Sequence, residues 1–128
     1  MSSQIKVVHT DAAPQAIGPY SQAVESGGLL FVSGQIPLDP ATGALVAGGF
    51  AEQAARVMAN VGAVLDAAGC ARSSVVKATV YLTDLARFAE FNEIYAGFFG
   101  QHRPARAVVG VAALPRGAQV EVEAVAVR

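Results

Sequence analysis

His102-Arg103-Pro104-Ala105-Arg106-Ala107-Val108-Val109-Gly110-Val111 and, after the turn residues Leu114-Pro115-Arg116-Gly117, Val120-Glu121-Val122-Glu123-Ala124-Val125-Ala126-Val127 make up the C-terminal part of the chain. Two β-branched runs flanking a Pro/Gly turn predict a β-hairpin. Arg106 begins the first run and Glu121 lies in the second, each set in apolar sequence. A hairpin would place this cation and this carboxylate on neighbouring strands. The rigid fork of arginine matches a carboxylate with two parallel hydrogen bonds, and a partly desolvated glutamate is suited to general acid–base work. The pair points to a small substrate that carries a carboxylate.

Upstream, the pattern predicts a short strand over Gln4–His9, a loop over Thr10–Pro19, and a hairpin of Ser21–Glu25 with Leu29–Ser33 turning at Ser26-Gly27-Gly28. After a second loop, Gly34–Gly43, the period changes. Phe50, Ala54, Val57, Val61, Val64, Leu65 and Ala68 follow helical spacing, with Gly69 at the expected stop. Ser74–Leu82 reads as a strand. Asp84 is placed to cap a second helix, whose stripe Leu85, Phe88, Phe91, Tyr95 and Phe98 is expected to face the core until Gly100 and Pro104 end it. The order β-β-β-α-β-α-β-β predicts an α+β fold: one mixed six-stranded sheet with two helices on one face. Each strand–helix–strand connection is expected to join parallel neighbours.

With 128 residues the chain is expected to form a single domain, 1–128. It is 53% hydrophobic and 15% charged, which predicts that apolar surface, including the open sheet face, is buried between subunits. A net charge of −1 and only two lysines, Lys6 and Lys77, argue against a nucleic-acid partner. No apolar run is long enough to span a bilayer, and Met1-Ser2-Ser3-Gln4 lacks the opening of a signal peptide, so a cytoplasmic protein without a membrane partner is expected. Single Cys70 agrees with a reducing compartment, and two histidines distant in sequence, His9 and His102, predict no metal site.

Three blocks occur in order: Ala16-Ile17-Gly18-Pro19-Tyr20-Ser21-Gln22-Ala23, Val32-Ser33-Gly34-Gln35-Ile36-Pro37, and Pro104-Ala105-Arg106 with Val120-Glu121-Val122-Glu123-Ala124. In combination, from around Asp11 to the end, they resemble the RidA (YjgF) family of reactive enamine/imine deaminases. That resemblance implies a homotrimer of chorismate-mutase-like, two-layer subunits with an active site in each cleft between neighbours. It implies hydrolysis of 2-enamine/2-imino acids, such as 2-aminoacrylate and 2-iminopropionate, to 2-keto acids and ammonia, with no cofactor. By matched position, Arg106 would clamp the substrate carboxylate and Glu121 would hold or activate water. Tyr20, Ser33, Gly34 and Asn92 would line the pocket, Asn92 being matched through Phe88-Ala89-Glu90-Phe91-Asn92. The chain departs from well-known members at Ala107-Val108, where they carry Ser-Cys, in the shorter loop Gln101-His102-Arg103, and at Gly110, where an acidic residue is common. These departures leave the preferred imine side chain open.

Blander roles fit several residues. Ser33 has no adjacent histidine to activate it and reads as a wall hydroxyl. Gly27-Gly28 opens into no helix, so it reads as a turn and not a phosphate loop. Glu123, Cys70, His9 and His102 read as structural or surface residues. Two alternative functions keep the same family fold: a non-enzymatic, ligand-binding or chaperone-like trimer, and a deaminase of a larger unsaturated amino acid in a catabolic pathway. RNA cleavage, also attributed to family members, is disfavoured by the lysine-poor, acidic composition.

Overall fold

The computed structural model describes residues 4–128; Met1-Ser2-Ser3 lie outside the described residues. Six strands, β1 (Lys6–Val8), β2 (Ala23–Ser26), β3 (Leu29–Gln35), β4 (Val75–Leu82), β5 (Ala105–Gly110) and β6 (Val120–Val127), form one sheet in the order β1-β2-β3-β6-β4-β5. Helices α1 (Phe50–Ala67) and α2 (Phe88–Phe99) cover one face, as the α+β reading anticipates.

Helix α1 buries Phe50, Ala54, Val57, Val61, Val64 and Leu65, the residues that share one side at 3.6 residues per turn. The Glu52 carboxylate accepts the Gly49 N–H at 2.8 Å at its start, and Gly69, with φ of 73°, takes the left-handed conformation just past its end. Against this stripe lie Leu30 and Val32 of β3, Val75, Ala78, Val80 and Leu82 of β4, and Val120, Val122, Ala124 and Ala126 of β6. Their alternation fixes which way every other side chain points, because neighbours along a strand face opposite sides.

Three expectations need correction. The C-terminal runs do not form a hairpin: β6 lies between β3 and β4, antiparallel to both, whereas β5 pairs with β4 in parallel at the edge. Residues 111–119 form a connection long enough to pass β4, which a tight hairpin turn is not. This leaves the strand with four buried residues on one face at the centre of the sheet. For the same reason, the α1 crossover joins β3 and β4 as parallel strands that are not neighbours. Finally, Asp84 caps a short 3₁₀ turn, Leu85–Arg87, by accepting the Ala86 N–H at 3.0 Å. The tighter winding of that turn shifts Leu85 and Phe88 off the buried stripe, and they are 55% and 41% exposed. Phe91, Tyr95 and Phe99 pack instead, in a chain of ring contacts.

Two buried amides tie loops to this frame. Gln22 accepts the Thr10 N–H at 2.7 Å and donates to the carbonyls of Thr10 (3.0 Å) and Pro14 (2.8 Å), anchoring the loop that carries Ile17 and Tyr20. Asn60, wholly buried on α1, donates to the carbonyls of Ile36 and Leu38 at 3.1 and 3.0 Å and fixes the segment after β3. Gln22→Leu would preserve bulk but orphan a half-buried N–H and two carbonyls. It should lower unfolding free energy by about 2–4 kcal/mol in urea denaturation at fixed protein concentration. A loss below about 0.5 kcal/mol would mean that water replaces these bonds without cost.

Candidate functional site

Between Val32 and Gln35 the register of β3 against β6 slips by one residue, so Ser33-Gly34 forms a bulge in a strand otherwise paired regularly. Ser33 donates its hydroxyl to the Ser21 carbonyl at 2.6 Å. Gly34 leaves room for the carboxylate beside it: a Cβ here would overlap Glu121 Oε2 and push the glutamate side chain aside. The bulge opens a cavity of about 420 Å³ whose lining includes Ile17, Tyr20, Ser33, Gly34, Glu121 and Glu123. Tyr20 is half exposed, its hydroxyl accepting the Ile17 N–H at 3.3 Å. Glu123 accepts a hydrogen bond from the Tyr81 hydroxyl at 2.9 Å, which pushes the Tyr81 pKa up. Among the described residues Glu121 has no such donor. Burial first, and the nearby Glu123 charge second, push its carboxyl above the usual range, the direction that favours a proton-transferring group.

A second cavity, of about 350 Å³, lies where β5 meets α2 and is lined by Asn92, Tyr95, Arg103 and Arg106 among others. Arg106 is half-buried. Its Nη1 donates to Asn92 Oδ1 at 2.8 Å, and its guanidinium carbon lies 4.8 Å from the centroid of the Tyr95 ring and 5.5 Å from that of Phe88. Phe88, Asn92 and Tyr95 recur at helical spacing, so α2 presents two rings and an amide to one guanidinium. Among the described residues no carboxylate lies in ion-pair range of Arg106.

The candidate residues therefore fall into two groups. Tyr20, Ser33, Gly34 and Glu121 share the first cavity; Asn92 and Arg106 share the second. Arg106 registers with Ala78, and Ala78 with Ala124, both buried on the helix side, whereas Glu121 registers with Tyr81 on the open side. The expected neighbouring-strand pair does not exist: β4 intervenes, and the two side chains leave opposite faces of the sheet. Tyr95 is buried in the core, as read from sequence, and also lies beside Arg106; Phe88, read as core, is instead exposed and flanks the guanidinium. Their spacing from Asn92 was the available signal. His102 is more enclosed than a surface residue, with Nε2 2.6 Å from the Val75 carbonyl, and among the described residues no cluster could hold a metal.

The family model described as "Endoribonuclease L-PSP" matches residues 10–128. The chain is 53% identical over 129 residues to a Mus musculus protein named 2-iminobutanoate/2-iminopropanoate deaminase, covering all of this chain and 96% of that one. Among solved structures, YyfA of the conserved Rid protein family from Yersinia pestis is 44% identical with TM-score 0.95, covering 98% of this chain and 100% of that one. E. coli TdcF with bound serine is 45% identical with TM-score 0.91, covering 96% and 98%.

Cys70 belongs to neither cavity. It is buried just beyond α1, its thiol against the Val127 carbonyl at 3.8 Å, and burial pushes its pKa up. The thiolate needed for alkylation is scarce there. Iodoacetamide at neutral pH should label Cys70 slowly in the folded protein and rapidly in denaturant, as read by intact mass. Fast stoichiometric labelling of the native protein would contradict this placement.

Proposed function

Because the chain belongs to the RidA (YjgF) family, we propose that it hydrolyses small 2-imino acids and their enamine tautomers to 2-keto acids and ammonia. The observation that carries this reading is Arg106, a half-buried guanidinium braced by an amide and two rings and lacking a carboxylate of its own among the described residues. A bound carboxylate would complete it. The names of the mammalian relatives and the serine bound to TdcF, a small 2-amino carboxylate, support the same substrate class.

In this reading Arg106 holds the carboxylate of the imine through charge-assisted hydrogen bonds. Glu121 accepts a proton from water as the water oxygen adds to the imine carbon, and passes that proton to the nitrogen. The resulting carbinolamine collapses to the ketone, expelling ammonia. A protonated imine is already electrophilic, so positioning supplies much of the catalysis. Arg106 and Glu121 meet only if two protomers contribute. The open sheet face favours such an assembly: Val7, Val24, Phe31 and Val125 register across four strands on the side away from the helices, and Val7 and Phe31 are 61% and 43% exposed. We infer a closed homotrimer with Arg106 of one protomer facing Tyr20, Ser33, Gly34 and Glu121 of the next. RNA cleavage, suggested by the family description, is the rival; ten acidic against nine basic residues give it little electrostatic support.

Arg106→Lys keeps charge but loses the fork, so kcat/KM for 2-iminopropionate should fall roughly 10²-fold. Wild-type turnover in that variant would remove the carboxylate clamp. Glu121→Gln should mainly lower kcat, by about 10²–10⁴. The pH profile carries a second test. A base must be ionised, so wild-type kcat should fall as pH drops through the raised Glu121 pKa, and Glu121→Gln should lose that limb. An acid limb unchanged in the variant would assign proton transfer elsewhere.

A further inference from the structure

Arg106 shares its cavity with a second cation. Arg103, on the loop leading into β5, lines the same hollow of about 350 Å³, and the other lining residues, Asn92, Tyr95, Ala96 and Pro104, carry no negative charge. Among the described residues neither guanidinium has a carboxylate within ion-pair range. In a chain of net charge −1, this is a local concentration of positive charge that the protein itself does not neutralise.

The tethers of the two arginines are alike. Arg103 commits Nη1 to the carbonyls of Gly100 and His102, the latter at 2.9 Å, and Arg106 commits Nη1 to Asn92 Oδ1 at 2.8 Å. In both, the Nε–Nη2 edge, one of the edges that grips a carboxylate with parallel bonds, is left without a hydrogen-bond partner among the described residues. Both also act on one side chain: burial pushes the Tyr95 phenol up, while the charges of Arg106 and Arg103 pull it back. A single small monocarboxylate calls for only one such fork.

We propose that the protein acts on 2-imino acids bearing a second acid group on the side chain, such as 2-iminosuccinate or 2-iminoglutarate. Arg106 takes the carboxylate beside the imine and Arg103 the distal one. The assignment rests on the deaminase reading for its chemistry. The reaction that supplies such an imine removes a hydride from Cα and a proton from the amino nitrogen of the corresponding acidic amino acid, the hydride passing to the flavin or nicotinamide acceptor of a separate oxidising enzyme and the proton to water. Arg103 is exposed and Arg106 half-buried, so the outer contact is the more sensitive to salt.

The test measures binding and turnover separately. Calorimetry with 2-oxoglutarate and 2-oxobutyrate, on the wild type, Arg103→Gln and Arg103→Lys, gives the diacid preference as a ratio of Kd values. Coupled assays with 2-iminoglutarate and 2-iminopropionate give the matching ratio of kcat/KM. The wild type should prefer the diacid, Arg103→Gln should lose about tenfold of that preference in both ratios, and Arg103→Lys should keep part of it. Ratios unchanged by Arg103→Gln, or both ligands weakened equally, would overturn the distal contact. If the wild type hydrolyses neither imine yet shows the Arg103-dependent binding preference, the deaminase reading fails and the diacid site stands. Hydrolysis with no such preference would remove the diacid site and leave the deaminase reading standing.

Discussion

Side chains alternate along a strand, and that period of two governs the chemistry available to this protein. The helix face of the sheet is claimed by the core, so Val120, Val122, Ala124 and Ala126 point inward and Glu121 and Glu123 outward. The same rule, transferred through the registered Ala78, sends Arg106 to the helix side. The cation and the carboxylate are consequently separated by the sheet that carries them. Within one protomer there are two separate cavities: a cationic one braced by α2, and an acidic one opened by the bulge at Ser33-Gly34.

Each cavity is held in shape by hydrogen bonds and ring contacts within the protein. Gln22 anchors the loop bearing Tyr20, and Asn60 anchors the segment that follows the bulge, both through buried bonds to backbone. Gly34 lacks a side chain where the Glu121 carboxylate comes closest. Tyr95 and Phe88 flank Arg106 while Asn92 holds one of its nitrogens, which restricts the arginine side chain. Ordering a long side chain in advance lowers the entropic cost of binding.

The elements were legible because their periods are local. The Phe50 to Leu65 stripe, the turn at Gly27-Gly28 and the alternation of β6 each need only a few residues to be read. Strand order is not local. The pattern of Ala105–Gly110 and Val120–Val127 is the same whether those strands pair with each other or admit β4 between them, so the hairpin reading failed there. Among site residues, Arg106, Glu121, Tyr20, Ser33, Gly34 and Asn92 stood out through matched blocks, and the structure divides them between two cavities. Tyr95 is core, as its helical spacing suggested, but its second contact, with Arg106, was hidden, as was that of Phe88, because an aromatic at helical spacing shows no sign of a guanidinium beside it. Arg103, in a short polar loop, carried no periodic signal.

The proposed active site takes Arg106 from one protomer and Glu121 from another, and co-assembly of two inactive chains tests it most directly. Arg106→Ala and Glu121→Ala chains, each inactive alone, would be unfolded and refolded together in equal amounts, and turnover of 2-iminopropionate measured on the mixture. Random pairing restores intact Arg106 and Glu121 in about one quarter of the interfaces, so activity near that fraction of the wild type is predicted. A mixed oligomer that forms yet remains as inactive as its parents would contradict the composite site and show that Arg106 and Glu121 do not act together across an interface.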